Sequence, residues 1–419
     1  MRLNRRFYFL TASACFVFLL WILLFDDLLL GIWLGLVLLL FISFILSRIS
    51  LAGVEVKRIS RIKNQEIGGI FEERLEIRNN SKIVKLWLEV IDHSIILSKI
   101  SSRVITGLGK NKVGLFSSTI ILNKRGFFQL GPTQVISGDP FGIFTASKFF
   151  QHSNYLIVFP KIFNINGFPL LPSAELGEVT LRTQTTNTTP QAAGVREFFP
   201  GDPLNRVHWP TTLKRNKLMV KEFDEDTQSS VWIFLDSMIG IYWREELPEP
   251  PSFDRNFAPL SRSPKYQLPR DSYEYAVSIS ATIADFFLRR NRLVGFASAG
   301  NVSYIIPADK GQRQLAKILE KLAVIKGEGK LPLSQLIEKQ IRNIPRGSSL
   351  ILITPAIDEH IESLLETQRR KGYRSIIILI QNDTFKNHEN YRSELGEKKM
   401  PNKISVSFGD NLETVLSNN

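Results

Sequence analysis

Glu197, Asp202 and His208 are the side chains whose types and spacing could do acid–base chemistry, and they fall in one stretch, Gly194 to Trp209. A carboxylate and an imidazole held together can activate water, so one reading of the stretch is a hydrolase site. The same stretch also holds Arg196, Pro200, Gly201, Arg206 and Trp209, and it runs on through Lys214, Arg215 and Lys221. That mixture fits a structural clasp equally well. Pro200-Gly201-Asp202 makes a turn, Arg196 or Arg206 pairs an acid, and Trp209 fills a core. It also fits a partner-binding surface in which cations frame aromatic anchors.

The rest of the chain offers the hydrolase reading no help. Cys15, the single cysteine, lies in a long apolar run, where a thiol nucleophile has no base to activate it. There is no G-x-S-x-G elbow, no H-E-x-x-H pair and no G-x-x-x-x-G-K-[ST] loop. His93, His152, His208, His360 and His388 are scattered without ligand spacing. The expectation is a protein without catalytic residues or cofactor, whose signature residues act by docking or clasping.

The elements that must position these residues begin with two charge-free apolar runs, Phe7 to Phe25 and Leu28 to Leu46. At 1.5 Å per residue each reaches roughly 28 Å, the thickness of a bilayer's hydrocarbon. Only Asp26 and Asp27 separate them, which predicts a tight helical hairpin. Arg2, Arg5 and Arg6 precede it, and Arg48, Lys57, Arg58, Arg61 and Lys63 follow it. The positive-inside rule places both ends, and the soluble mass, in the cytoplasm. The net charge of +13 partly reflects these bases. The remainder is dispersed among acids, so a nucleic-acid role gains nothing from it.

Beyond the hairpin, the alternating runs Val54 to Ile59, Arg74 to Arg78, Lys85 to Val90, Phe116 to Leu122 and Tyr155 to Pro160 predict a small β-sandwich. Asn164 to Ala193 is rich in Pro, Gly, Thr and Asn and reads as a loop. From Ser230 onward strand and helix patterns alternate: strand to Asp236, helix Asp271 to Asn291, strands Leu293 to Ala297 and Val302 to Ile306. There follow helices Gln312 to Ile325 and Leu333 to Ile344, strand Ser349 to Thr354, helix Glu359 to Lys371, and strands Ser375 to Gln381 and Lys403 to Phe408. Such alternation predicts a mainly parallel sheet flanked by helices. Tyr242 to Arg270, rich in proline, reads as a surface excursion. The expected division is 1–50 membrane anchor, 51–165 β-sandwich, 166–229 linker and signature, and 230–419 α/β domain.

Two segments carry a family resemblance. Arg196-Glu197-Phe198-Phe199-Pro200-Gly201-Asp202, with Arg206, Trp209, Lys214, Arg215 and Leu218-Met219-Val220-Lys221-Glu222-Phe223, resembles the signature of domain-of-unknown-function family 58. Arg125-Gly126-Phe127-Phe128-Gln129-Leu130-Gly131-Pro132 and Asp139-Pro140-Phe141-Gly142-Ile143-Phe144 are similar to that family's upstream segment. The resemblance implies partnership with a MoxR-type AAA+ ATPase and with transglutaminase-like membrane proteins.

The order of C-terminal elements also looks like a von Willebrand factor A-like, Rossmann-type domain. There a D-x-S-x-S run on the first strand, with a distant Thr and Asp, binds Mg²⁺. Here Asp236 is followed by Met238 and Gly240 where serines would stand, and Thr354 by Pro355, with Asp358 displaced. The metal site implied by that resemblance is therefore expected to be degenerate, and Asp236 to serve as a strand-end acid. The resulting expectation is a membrane-tethered cytoplasmic scaffold. A hydrolase at the Arg196–His208 segment and an envelope-facing adhesion protein are the alternatives.

Overall fold

The computed structural model describes residues 2–60, 64–94, 96, 101–151, 154–169, 192–199, 207–223, 230–245, 266–386 and 402–417. The chain forms two compact units. One is Met1–Lys161 with the described residues of Glu246–Gln267, and the other is Ile162–Glu245 with Leu268–Asn419. Hairpin and sandwich fall in one unit, and the described part of the signature falls with the α/β sheet.

In the first unit, strand β1 (Arg2–Leu3) leads into helices α1 (Arg5–Leu24) and α2 (Asp27–Ser50). Neither helix contains proline, and both are apolar around the full circumference, so no face is favoured for burial in a protein core. Phe9, Leu24 and Phe41 are 73%, 66% and 59% exposed. Both helices are long and apolar enough to cross a membrane. Phe25 turns the chain in a left-handed conformation, Asp26 caps α2 by accepting from the Leu28 N–H, and the Phe18 and Trp33 rings meet across the hairpin at 4.9 Å.

The β body follows with β2 (Val54–Ser60), β3 (Asn64–Glu66), β4 (Ile70–Asn79), β5 (Lys85–Asp92), β6 (Ser101–Leu108) and β7 (Val113–Ile121). It continues with β8 (Gly126–Gln129), β9 (Thr133–Gly138), β10 (Phe144–Phe150) and β11 (Tyr155–Phe159). A five-stranded sheet, β1-β10-β9-β5-β6, faces a three-stranded one, β2-β4-β7, and a second three-stranded sheet runs β3-β11-β8. Along β4, Phe71, Leu75 and Ile77 turn inward while Glu72, Arg74 and Arg78 turn out, the alternation the strand period requires. Leu75 and Ile77 pack with Val54, Phe116, Leu88, Val90, Leu108 and Val135 to form the core of the sandwich. Tyr266, from the proline-rich segment, packs on a second cluster that includes Phe71, Leu130 and Val158. The rest of that segment, 246–265, lies outside the described residues.

Arg58 departs from its expected juxtamembrane role. It is 6% exposed, donating to Glu73 at 2.5 Å, Asp92 at 2.7 Å, Thr133 at 3.0 Å and Ser94 at 3.1 Å. One guanidinium serves two buried carboxyls, and burial pushes Glu73 up to about 7 against the opposing pull of Arg58.

The second unit opens with β12 (Ala192–Glu197), α3 (Trp209–Arg215) and β13 (Met219–Phe223), the two strands pairing antiparallel. Then come β14 (Val231–Leu235), α4 (Ser272–Arg289), β15 (Val294–Ala299), β16 (Ser303–Asp309), α5 (Gly311–Val324) and α6 (Leu333–Gln340). β17 (Ser349–Thr354), α7 (Glu359–Arg370), β18 (Arg374–Ile380), α8 (Asn382–Lys386), β19 (Lys403–Val406) and α9 (Leu412–Val415) complete it. The six-stranded sheet has the order β16-β15-β14-β17-β18-β19, parallel except for β16. β14, β17 and β18 are apolar runs because both faces are covered. Asp271 caps α4 by accepting from the Tyr273 and Glu274 N–H groups, and Leu315, Ile318, Leu319 and Leu322 form the inner face of α5.

Candidate functional site

The chain reaches β15 on one side of β14 and β17 on the other, so the order reverses between β14 and β17. Open α/β sheets bind ligands outside the strand C-termini at such a point. Asp236, one step past β14, and Thr354, the last residue of β17, stand there, 6% and 0% exposed. Thr354 Oγ1 is 2.9 Å from Asp236 Oδ2, and the Met238 N–H donates to Asp236 Oδ1 at 3.2 Å. Burial pushes the Asp236 carboxyl above its ordinary range; the bonds from Thr354 and Met238 oppose this, and the Asp358 charge adds to it.

The loop after β14 is fixed in place. Ser237 Oγ meets Tyr273 OH at 2.8 Å and Ser298 Oγ at 2.7 Å, and Tyr242 OH donates to the Asp236 carbonyl at 2.8 Å. Gly329 N–H donates to the Ser237 carbonyl, and Ile239 N–H to that of Gly329. A Cβ on Gly329 would collide with the Ala299 carbonyl oxygen, so only glycine lets this segment cross the loop. Arg244 lies over the Tyr273 ring at 5.0 Å, and burial raises Asp271, the cap of α4, to about 6.

A hard cation takes about six oxygens. Asp236 and Thr354 bring side-chain oxygens to the switch point, but Ser237 is turned to Tyr273 and Ser298, and Met238, Gly240 and Pro355 bring none. These residues do not fit the magnesium site of the domain type the sequence resembles. Among the described residues no group of three or more His, Cys, Asp or Glu side chains could hold a metal ion. The switch point presents Ile239, 59% exposed, together with exposed Asp358 and Glu328, over a rigid hydrogen-bonded base.

The signature forms a small separate platform. Arg196 pairs in register with Val220, Glu197 with Met219, and Val195 with Lys221. The Phe198 N–H donates to Leu218 O at 2.9 Å, the His208 N–H to Met219 O at 2.8 Å, and the Met219 N–H to Thr212 Oγ1 at 3.0 Å. Val207, Met219 and Val220 are buried and do the packing that the clasp reading gave to Trp209. That reading of Trp209 is corrected: its ring is 62% exposed at the start of α3, with Leu213 79% exposed one turn later and Phe199 65% exposed. Lys214, Arg215 and Lys217 are exposed beside them, and Lys217 pairs Glu197 at 3.1 Å.

Of the other sequence candidates, Pro200, Gly201, Asp202 and Arg206 lie outside the described residues. His208 Nδ1 is 2.7 Å from Thr211 Oγ1, and Glu197 is engaged with Lys217, so neither faces the other as an acid–base pair. Sequence reasoning missed Leu213, whose signal is its spacing of four from Trp209. It also missed Ser237 and Tyr273, which have no motif of their own.

No protein-family model matches the chain. The uncharacterized protein YeaD of Bacillus subtilis (strain 168) is 22% identical over 250 residues, covering 58% of this chain and 54% of YeaD. The chain thus matches about half the length of that curated relative. Among solved structures, the CARDB domain of the PF1109 protein from Pyrococcus furiosus is 9% identical, with TM-score 0.19, covering 25% of this chain and 91% of that domain. Spo0M, a sporulation control protein from Bacillus subtilis, is 12% identical, with TM-score 0.14, covering 26% of this chain and 49% of Spo0M. Likeness at this level carries no argument about fold or activity.

Proposed function

We propose that the chain is a membrane-tethered cytoplasmic scaffold that docks a protein partner through the β12–α3–β13 platform. The observation that carries this reading is the exposed pair Trp209 and Leu213, framed by Lys214, Arg215 and Lys217 on a fold whose core is filled by other residues. Aromatic anchors ringed by cations suit a partner groove with an acidic rim. The resemblance to family 58 names a MoxR-type AAA+ ATPase as that partner and transglutaminase-like membrane proteins as neighbours. The strand order of the α/β sheet, with its antiparallel β16, supports a von Willebrand factor A-like domain, a type that commonly binds proteins.

The apolar hairpin supports the tether, and the bases at its ends support an inside–inside topology. Two measurements test the reading. A C-terminal reporter active only outside the membrane should be silent; an active fusion overturns the topology. The full-length protein in detergent should recover a MoxR-type ATPase from the cell, less at high salt, and lose it on Trp209→Ala with Leu213→Ala. Equal recovery by that double variant overturns the docking surface.

A further inference from the structure

The segment Asp139-Pro140-Phe141-Gly142 has no part in the docking platform, yet it is held by a network of hydrogen bonds. Asp139 is 1% exposed, and its carboxylate accepts from the N–H groups of Phe141 at 3.0 Å, Ile143 at 3.2 Å and Phe144 at 2.6 Å. Gly142 has φ +69, and a Cβ there would meet the Arg6 guanidinium at 3.0 Å. The loop so shaped turns Phe141 outward, 48% exposed.

This loop is bonded to the start of the apolar hairpin. Asn4 Nδ2 donates to Gly142 O at 2.9 Å, Arg6 Nη1 to Phe141 O at 2.8 Å, and the Asn4 N–H to Ile143 O at 3.3 Å. Phe144 lies between Phe7 of α1 and Phe44 of α2, with ring centroids 5.3 and 5.9 Å away. From Tyr8 onward α1 is apolar and largely exposed. The first turn of a membrane span lies at the bilayer interface, so whatever is bonded to that turn lies there too.

We propose that the Asp139–Gly142 loop is a membrane-surface anchor, in which Phe141 enters the boundary between phospholipid headgroups and acyl chains while Arg5 and Arg6 face the lipid phosphates. The inference rests on the membrane-spanning reading of α1 and α2. Its occupant is the bilayer, because the loop is continuous with the apolar helices and is flanked by exposed cations of the sign that anionic phosphates attract.

A second contact gives the depth order. Lys85 Nζ donates to the Ile49 carbonyl at 2.9 Å, which sets the turn before β5, with Ile83 50% and Val84 51% exposed, beside the end of α2. Phe7 and Phe44 share a level, and Ile49 lies about 7–8 Å further along the helix. Phe141 is thus the deeper anchor and Ile83 the shallower. Asn123 is exposed at the other end of the sandwich, since β4 runs from the Asn79 end, beside Gly53, to Ile70, which pairs with Ile121.

The test uses the full-length protein with Cys15→Ser. Single cysteines at Leu34, Phe141, Ile83 and Asn123 are labelled with bimane, one per protein. Each is placed in nanodiscs of phosphatidylethanolamine and phosphatidylglycerol whose acyl chains are brominated near the headgroup. Quenching should fall in the order Leu34, Phe141, Ile83, Asn123, with Phe141 at least about twofold above Asn123. Quenching at Leu34 with Phe141 no different from Asn123 overturns the anchor and leaves the span standing. No quenching at Leu34 overturns the span and the anchor with it. Unchanged melting checks that the Phe141 label has not disturbed the loop; a label at the exposed Pro140 repeats the measurement if it has.

Discussion

Thr354 Oγ1 lies 2.9 Å from Asp236 Oδ2 and 2.9 Å from the Ala356 carbonyl, with one proton to serve both. A protonated Asp236 resolves this, donating to Thr354 while Thr354 donates to Ala356, and the upward push of burial on Asp236 favours that state. A raised acid contributes stability below its ordinary pKa of 3.8 and loses it as pH rises through the raised value. Asp236→Asn keeps a donor for Thr354 and an acceptor for Met238. Its melting temperature relative to the parent should therefore increase from acid to neutral pH. A gap that stays constant with pH would show that Asp236 titrates alike in the folded and unfolded chain.

Thr354→Val removes the hydroxyl and keeps the shape. It leaves a buried Asp236 oxygen without its partner and should cost about 1–3 kcal/mol in denaturant unfolding of the α/β unit. A loss under about 0.5 kcal/mol, the scale of a surface change, would show that the switch point is held by its backbone alone.

Arg58→Met strands two carboxyls in the core of the sandwich and should cost about 3–5 kcal/mol. Adding Glu73→Met and Asp92→Leu removes the stranded groups, so the triple variant should recover most of the loss. If it recovers none, the cluster specifies the sandwich rather than merely occupying it.

Glu73 is raised from 4.5 to about 7 by burial, so its stabilising contribution is complete below pH 4.5 and lost as pH rises toward about 7. Glu73→Gln should flatten that decline in melting temperature across the window. Asp271, raised to about 6, declines with the same sign and leaves a smaller slope behind.

Trp209→Ala should change stability by only about 0.5 kcal/mol, as exposed substitutions do, although a buried indole would cost roughly 3–5 kcal/mol. The same variant should weaken partner recovery. Lys214→Glu with Arg215→Glu should weaken it more at low salt than at high salt, because exposed charges act through a screened field. Melting curves and co-purification at two salt concentrations separate the two effects.

The α/β unit was legible wherever periodicity was strong. Buried runs such as Val231–Leu235 and Ser349–Thr354, and the α5 face of Leu315, Ile318, Leu319 and Leu322, matched the predicted elements. The short α8 and α9 escaped because one turn leaves no period to read. Strands β6, β9 and β10 were missed because Ser, Thr and Gly interrupt their apolar positions.

Arg58 was misread although its signal was present. It shares strand parity with the inward-facing Val54 and Val56, as Glu73 does with Phe71, Leu75 and Ile77. Its position among Arg48, Lys57, Arg61 and Lys63 hides that parity, because the neighbouring bases suit a membrane surface. Trp209 had no such signal. Whether a ring at the start of a short helix points in or out depends on Val207, Met219 and Val220 having already filled the space beneath it.

Strand β1 pairs Arg2 with Thr145, and Asn4 reaches Gly142 across 138 positions of chain. A ribosome must therefore release the whole sandwich before the residues at the head of α1 find their partners. Closing so long a loop is slow, and the hairpin is made well before it closes. The joint between helix and sheet is thus fastened only after the strand that carries Thr145 has been made. A chain truncated before Asp139 keeps its apolar hairpin but lacks the partners that Asn4 and Arg6 find at Phe141, Gly142 and Ile143.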